Sequence, residues 1–220
     1  MNRSFPQDRM DPIYGLCNYV ISVANDILFR GQIYGQENLP REGAFLLAAN
    51  HLSFLDPPLI GIQVPRQLCF FARKTLWKPG VASWWLDAVG VIPVDRDGGQ
   101  DVSALKRVLR ALKEDKGLIL FPEGTRSPDG QLQHPKPGVG FIVCKSQVPV
   151  VPARIFGSYE AFGKGVKFPR FGTPVSVVFG RPLNPTVYDA LEAGKERYQI
   201  ASSRIFAEIA KLQLPRETVV

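Results

Sequence analysis

The stretch Asn50-His51-Leu52-Ser53-Phe54-Leu55-Asp56 sets one of only two histidines five positions ahead of an aspartate, directly after the apolar run Phe45 to Ala49. Imidazole is the side chain best suited to take a proton near neutral pH, and a neighbouring carboxylate can hold its ring in one tautomer. The same aspartate precedes Pro57, which equally suits a helix N-cap followed by proline at the first helical position. The residues alone support both roles. The other histidine, His134, lies between Gln133 and Pro135 in a Pro/Gly-rich stretch and is expected to be exposed in a loop.

Around these residues the chain reads as strands alternating with helices. Phe45 to Ala49, Leu68 to Ala72, Val91 to Val94, Leu118 to Phe121 and Val148 to Ile155 are short apolar runs of the kind found in buried strands, and Val175 to Phe179 suits an edge strand. Asp101 to Lys116 is the clearest helix, with Val102, Leu105, Leu109 and Leu112 on one stripe, Lys106, Arg107, Arg110 and Lys113 off it, and Gly117 as the stop. A second helical region, Thr186 to Leu214, is interrupted at Gly194, and Gly31 to Gly43 reads as a turn-rich link. Ile13 to Phe29 repeats apolar residues at 13, 16, 17, 20, 23, 24, 27 and 28, the pattern of an amphipathic helix too short and too polar to span a bilayer. It suits either a membrane interface or packing on the domain. The expected architecture is a single α/β domain with a largely parallel or mixed central sheet flanked by helices. An N-terminal amphipathic, membrane-associating segment (residues 1–40) precedes the main domain (41–220). In such sheets functional groups gather beyond the carboxyl ends of strands. His51, Arg96 and the run Glu123-Gly124-Thr125-Arg126 each follow a different expected strand, so three polar groups can converge on one cleft.

Bulk properties narrow the partners. The 220 residues are 45% hydrophobic and 21% charged, ordinary for a folded domain, with a formal charge of +7 that suits an anionic partner. No zinc spacing, RNP-like run or basic helix block points to nucleic acid, leaving a membrane surface or a phosphorylated substrate. Cys17, Cys69 and Cys144 are odd in number, far apart and in apolar surroundings, and are expected to be buried free thiols in a reducing compartment, with no structural metal. Asp8 and Asp11 fall too early for a secretory leader.

Four ordered blocks resemble the membrane-associated glycerolipid acyltransferases, best known for the 1-acylglycerol-3-phosphate acyltransferases. NHLSFLD (50–56), GVIPVDR (90–96), FPEGTRS (121–127) and VPVVPARI (148–155) match the family's blocks in order and spacing, over residues of about 44 to 156. Pro93 departs from the larger apolar or aromatic residue common in the second block. The resemblance implies transfer of a fatty acyl group from an acyl thioester (acyl-CoA or acyl carrier protein) to the sn-2 hydroxyl of a lysophosphatidate, giving phosphatidic acid. It needs no cofactor, and it takes place on the cytoplasmic face of a membrane.

Under that resemblance His51 is the general base and Asp56 orients its ring. Arg96 and Arg126 bind the acceptor phosphate, since guanidinium matches phosphate geometry. Glu123, with Gly124 and Thr125 beside it, holds the glycerol hydroxyl or positions Arg126; Lys74 and Lys136 extend the basic rim, and Asn50 supports the turn or touches substrate. No G-x-S-x-G elbow is present, so direct attack without an acyl-enzyme is expected, and Ser53, Ser146 and Cys69 are not expected to act as nucleophiles. Trp77, Trp84 and Trp85, with Phe70 and Phe71, suit an acyl groove, a membrane interface or plain core packing. Alternatives are acylation of glycerol-3-phosphate or another lysolipid, a metal-dependent transferase built on Asp95-Arg96-Asp97, and a non-catalytic module docking on anionic lipid.

Overall fold

The computed structural model describes residues 10–95 and 102–215. Among these, seven strands form one sheet: β1 (Ile33–Tyr34), β2 (Phe45–Ala49), β3 (Leu68–Arg73), β4 (Val91–Val94), β5 (Gly117–Leu120), β6 (Val150–Phe156) and β7 (Ser176–Phe179). Their order is β1-β7-β6-β2-β5-β3-β4, with every pairing parallel except β6 against β7. The helices are α1 (Pro12–Leu28), α2 (Asp56–Gly61), α3 (Val81–Ala88), α4 (Val102–Lys113), α5 (Pro137–Ser146), α6 (Ser158–Phe162), α7 (Pro185–Tyr188) and α8 (Arg197–Lys211). The expected α/β fold, with its helix-flanked mixed sheet and leading helix, is the observed one.

Every residue of β2 is buried, because the strand runs between β6 and β5 and is covered on both faces. Side chains alternate across it. Phe45, Leu47 and Ala49 pack with Leu59 and Ile60 of α2 and with Leu28 of α1, while Leu46 and Ala48 pack with α4, α5 and α8. The sheet thus separates two apolar layers. β5 inserts between β2 and β3, and the chain then crosses by α5 to β6 on the other side of β2. The carboxyl ends of β2 and β5 therefore lie side by side at the point where the strand order reverses, which is where such sheets bind ligands.

Several boundaries differ from the sequence expectation for identifiable reasons. Val175 to Phe179 is not an edge: the link between Gly31 and Gly43 contains β1, whose two residues pair outside β7. Two residues carry no readable periodicity. Ile33 and Tyr34 thus belong to the sheet. The C-terminal region resolves into α7, a 3-10 segment kinked at Gly194, and α8. The buried residues of α4 are Ala104, Val108, Ala111 and Leu112, while Leu105 and Leu109 of the expected stripe are only half-buried. Val102 begins α4, but its side chain lies outside the description, as does Asp101.

α4 also stops before Gly117. Asp115 adopts φ +57°, Lys116 N–H reaches the Ala111 carbonyl at 3.1 Å and Asp115 N–H the Leu112 carbonyl at 3.3 Å. This is the paired closing pattern that usually takes glycine, here built on aspartate. Gly117 serves β5 instead: a Cβ there would sit 2.5 Å from Phe45 Cε1 and 2.7 Å from Leu68 Cδ2. Gly117→Ala is therefore expected to destabilise the fold by about 1–3 kcal/mol through overpacking. A denaturant midpoint equal to the parent's would contradict this.

Candidate active site

The turn after β2 is organised by one carboxylate. Asp56 has no solvent exposure, and its Oδ2 accepts the backbone N–H of Leu52 at 2.6 Å and of Ser53 at 2.7 Å. The same oxygen meets His51 Nδ1 at 2.9 Å. The side chain thus points back into the turn rather than capping α2, which settles the ambiguity left by Pro57. Oδ1 is buried without a hydrogen-bond partner among the described residues. With Nδ1 donating to the carboxylate, Nε2 is the atom of the ring left to accept a proton. The His51 ring is 17% exposed and stacks on Phe121, with centroids 4.1 Å apart.

Glu123 staples the neighbouring strand exit to this turn. It is 1% exposed; Oε1 accepts the His51 backbone N–H at 3.1 Å and Oε2 the Gln133 N–H at 3.3 Å. Ser127 N–H donates to the His51 carbonyl at 2.8 Å, so both backbone groups of His51 are held by the loop after β5. Burial pushes the Glu123 carboxyl up to about 7; the two N–H donors pull it down, and the charge of Asp56 adds a further upward push. The sequence expectation gave Glu123 a glycerol hydroxyl or Arg126 as partner. Instead its carboxylate is turned inward onto backbone.

Asn50, 1% exposed, bonds both the N–H (2.8 Å) and the carbonyl (3.1 Å) of Ile155, locking the end of β2 to β6. Arg126 lies with its guanidinium carbon 3.4 Å from the Phe54 ring centroid, and Phe54 is 63% exposed. Gly124 takes φ +69°, and Thr125 is exposed beside it. Lys74 sits in a short exposed turn (Lys74–Leu76) at the end of β3. Arg96 and Asp97 fall outside the described residues and are not placed; Asp95, the first residue of the Asp95-Arg96-Asp97 motif, lines the cavity beside His51. No cluster of three metal-ligating side chains occurs among the described residues.

A cavity of about 590 Å³ opens beside His51. Its apolar walls include Phe70 and Phe71 of β3, Leu105 and Val108 of α4, and Phe141 and Ile142 of α5. None of the three tryptophans lines it, and none is core: Trp84 is 59% exposed and Trp85 42%. Cys17 is also not buried as expected, since it lies half-exposed on α1 and accepts the Trp85 indole N–H at 3.3 Å; Cys69 and Cys144 are buried. His134 is exposed, as its sequence context implied. Ser53 is buried, with its hydroxyl donated to the Phe162 carbonyl, and Ser146 donates to Ile142, so neither hydroxyl has a base beside it. Burial raises the Cys69 thiol, the wrong direction for a nucleophile. The sequence alone does not single out Phe121, Phe54 and Gln133 as site residues; the signal for Phe121 is its place two positions ahead of Glu123 at a strand end.

A histidine–aspartate pair thus stands beside an apolar cavity in a doubly covered sheet. The acyltransferase family model matches residues 30–156, and the chain belongs to that family. It is 31% identical to a chloroplastic 1-acyl-sn-glycerol-3-phosphate acyltransferase of Brassica napus over 80% of this chain and 51% of that protein. It is 28% identical to the 1-acyl-sn-glycerol-3-phosphate acyltransferase of Bacillus subtilis, over 91% of this chain and 97% of that one. The chain thus spans about half the length of its plant relatives and nearly all of the Bacillus one. The crystal structure of the 1-acyl-sn-glycerophosphate acyltransferase of Thermotoga maritima superposes with a TM-score of 0.69 at 27% identity, covering 91% of this chain and 80% of that one.

Glu123 carries a pH signature. Its folded carboxyl, raised to about 7 from 4.5, binds a proton that the unfolded chain has released, so its contribution to stability is full below about pH 4.5 and is lost as pH rises through about 7. Denaturant unfolding of Glu123→Gln across pH 4.5–7 is expected to give a flatter profile than the parent's. Parallel profiles would contradict the assignment.

Proposed function

We propose that this protein transfers a fatty acyl group from an acyl thioester to the sn-2 hydroxyl of 1-acylglycerol-3-phosphate, releasing phosphatidic acid and a thiol. The observation that carries this reading is the 2.9 Å contact between His51 Nδ1 and the buried Asp56 carboxylate at the mouth of an apolar cavity. Nε2 takes the hydroxyl proton as the oxygen attacks the thioester carbon, and Asp56 stabilises the imidazolium charge that forms. Asp56 can do so without moving, because the two backbone amides already fix its Oδ2.

The cavity suits the acyl chain of the donor. Its walls come from β3, α4 and α5, all apolar where they face it, and it would take a hydrocarbon chain out of water at a gain of about 0.8 kcal/mol per methylene. Arg126 suits the acceptor phosphate: it lies over an exposed phenylalanine, where it can reach an anion arriving from outside. Acyl-CoA and acyl carrier protein both fit as donors, and glycerol-3-phosphate or another lysolipid remains the alternative acceptor.

Peripheral attachment to the cytoplasmic face of a membrane belongs to the same proposal. Tyr14 and Asn25 of α1 face the domain, while Leu16, Tyr19, Val20, Val23 and Ile27 leave an apolar stripe on the outside. Exposed Trp84 and Trp85 of α3 adjoin it through the Trp85–Cys17 hydrogen bond. Among the described residues no helix is long and apolar enough to cross a membrane. A stripe of this kind on a short helix suits the interface.

The test is product analysis by mass spectrometry after purified protein meets vesicles containing lysophosphatidate together with a long-chain acyl thioester. Phosphatidic acid is expected from the parent, and a loss of roughly 10²–10⁴-fold in rate from folded His51→Ala. Vesicle binding without turnover by the parent would replace this reading with that of a lipid-docking module.

A further inference from the structure

The apolar cavity beside His51 has a cation of its own, and it is not Arg126. Lys136 lines the cavity together with His51 and Gly124, and is the one lysine or arginine to do so among the described residues. Its backbone N–H donates to the Pro122 carbonyl at 2.8 Å, which ties it to the loop that carries Glu123. Its side chain lies across Gly124: a Cβ there would sit 3.1 Å from Lys136 Cδ, 3.6 Å from Cε and 3.7 Å from Nζ. Gly124, at φ +69°, thus leaves the space the lysine occupies. No hydrogen bond or ion pair holds Nζ among the described residues.

Two features set this position apart from the other basic groups. The amino end of α5 begins one residue later, with Pro137 at its first position, and Pro137, Gly138 and Val139 line the same cavity. The partial positive charge of that helix end adds to the lysine's in attracting negative charge. Arg126, by contrast, is stacked over exposed Phe54 and is absent from the cavity lining. The two cations therefore serve different spaces, Arg126 the outer side and Lys136 the apolar one.

We propose that Lys136 is a catalytic residue on the donor side, hydrogen-bonding the carbonyl oxygen of the acyl thioester. This deepens the acyltransferase reading above and rests on it. As the acceptor oxygen bonds to the carbonyl carbon, its proton passes to His51 Nε2 and the carbonyl π pair moves onto oxygen, where the ammonium of Lys136 stabilises it. The carbonyl then re-forms, the carbon–sulfur bond breaks, and the departing thiolate takes the proton back from His51. Charge on that oxygen exists only between the two steps, so the lysine favours the transition state over either ground state.

The experiment is steady-state kinetics on Lys136→Met and Lys136→Gln, varying acyl thioester and lysophosphatidate separately. Each variant is first checked for the parent's thermal unfolding midpoint, which exposed Lys136 should not govern. Expected is a fall in kcat of about 10²-fold with both KM values within about two-fold of the parent. Lys136→Arg should recover part of the rate. A kcat within two-fold of the parent's in both variants overturns the proposal, and so does a raised acceptor KM at unchanged kcat, which would place Lys136 on the acceptor phosphate. Failure of the parent itself to turn over would instead sink the acyltransferase reading on which this depends.

Discussion

Removing a carboxylate from water is tolerated only where hydrogen-bond donors replace the lost hydration. In this protein two backbone amides and one imidazole meet the same oxygen of Asp56. Those amides belong to Leu52 and Ser53, so the carboxylate cannot be satisfied unless the chain after β2 curls into this particular turn. The turn in turn fixes where His51 stands. Charge burial, backbone conformation and ring orientation are therefore one constraint, and the rest of the site is arranged around it. The unpartnered Oδ1 is a cost of about 1–3 kcal/mol that the three bonds to Oδ2 offset.

The fold supplies what that turn needs on either side. β2 is buried on both faces, so its carboxyl end is a rigid platform. Asn50 clamps it to β6, and Glu123 with Ser127 clamps it to the loop after β5. The topology also creates the cavity. Phe70 and Phe71 of β3 and Ile119 and Leu120 of β5 line it, α4 and α5 cover it, and His51 and, from α2, Pro57 complete its lining.

Much of this was legible from residue types. The continuous apolar runs gave the buried strands because a strand covered on both faces has no polar side, and the strand exits marked where chemistry would gather. Spacing allowed His51 and Asp56 to pair, since five residues suffice for a tight turn, but allowed Asp56 to cap a helix equally well. The roles of Asn50 and Glu123 were less legible: both bond backbone groups far away in sequence, and no local pattern announces a partner 72 or 105 residues away. The tryptophans suit an interface, a groove or a core by type alone, and only the fold separates these. The cavity is walled by Phe70, Phe71 and the helices beyond, and the three-dimensional path of β3 into α3 turns the indoles outward. β1 escaped notice because two residues carry too little pattern to distinguish a strand from a link.

The claim that Asp56 works through His51 is tested most directly by a double-mutant cycle of His51→Ala and Asp56→Asn, each checked for native fold, with kcat measured for both single variants and the double variant. If the carboxylate acts only by orienting the ring and stabilising its charge, the double variant will be no slower than His51→Ala alone. Losses that multiply would show that the two residues contribute independently and would contradict the account.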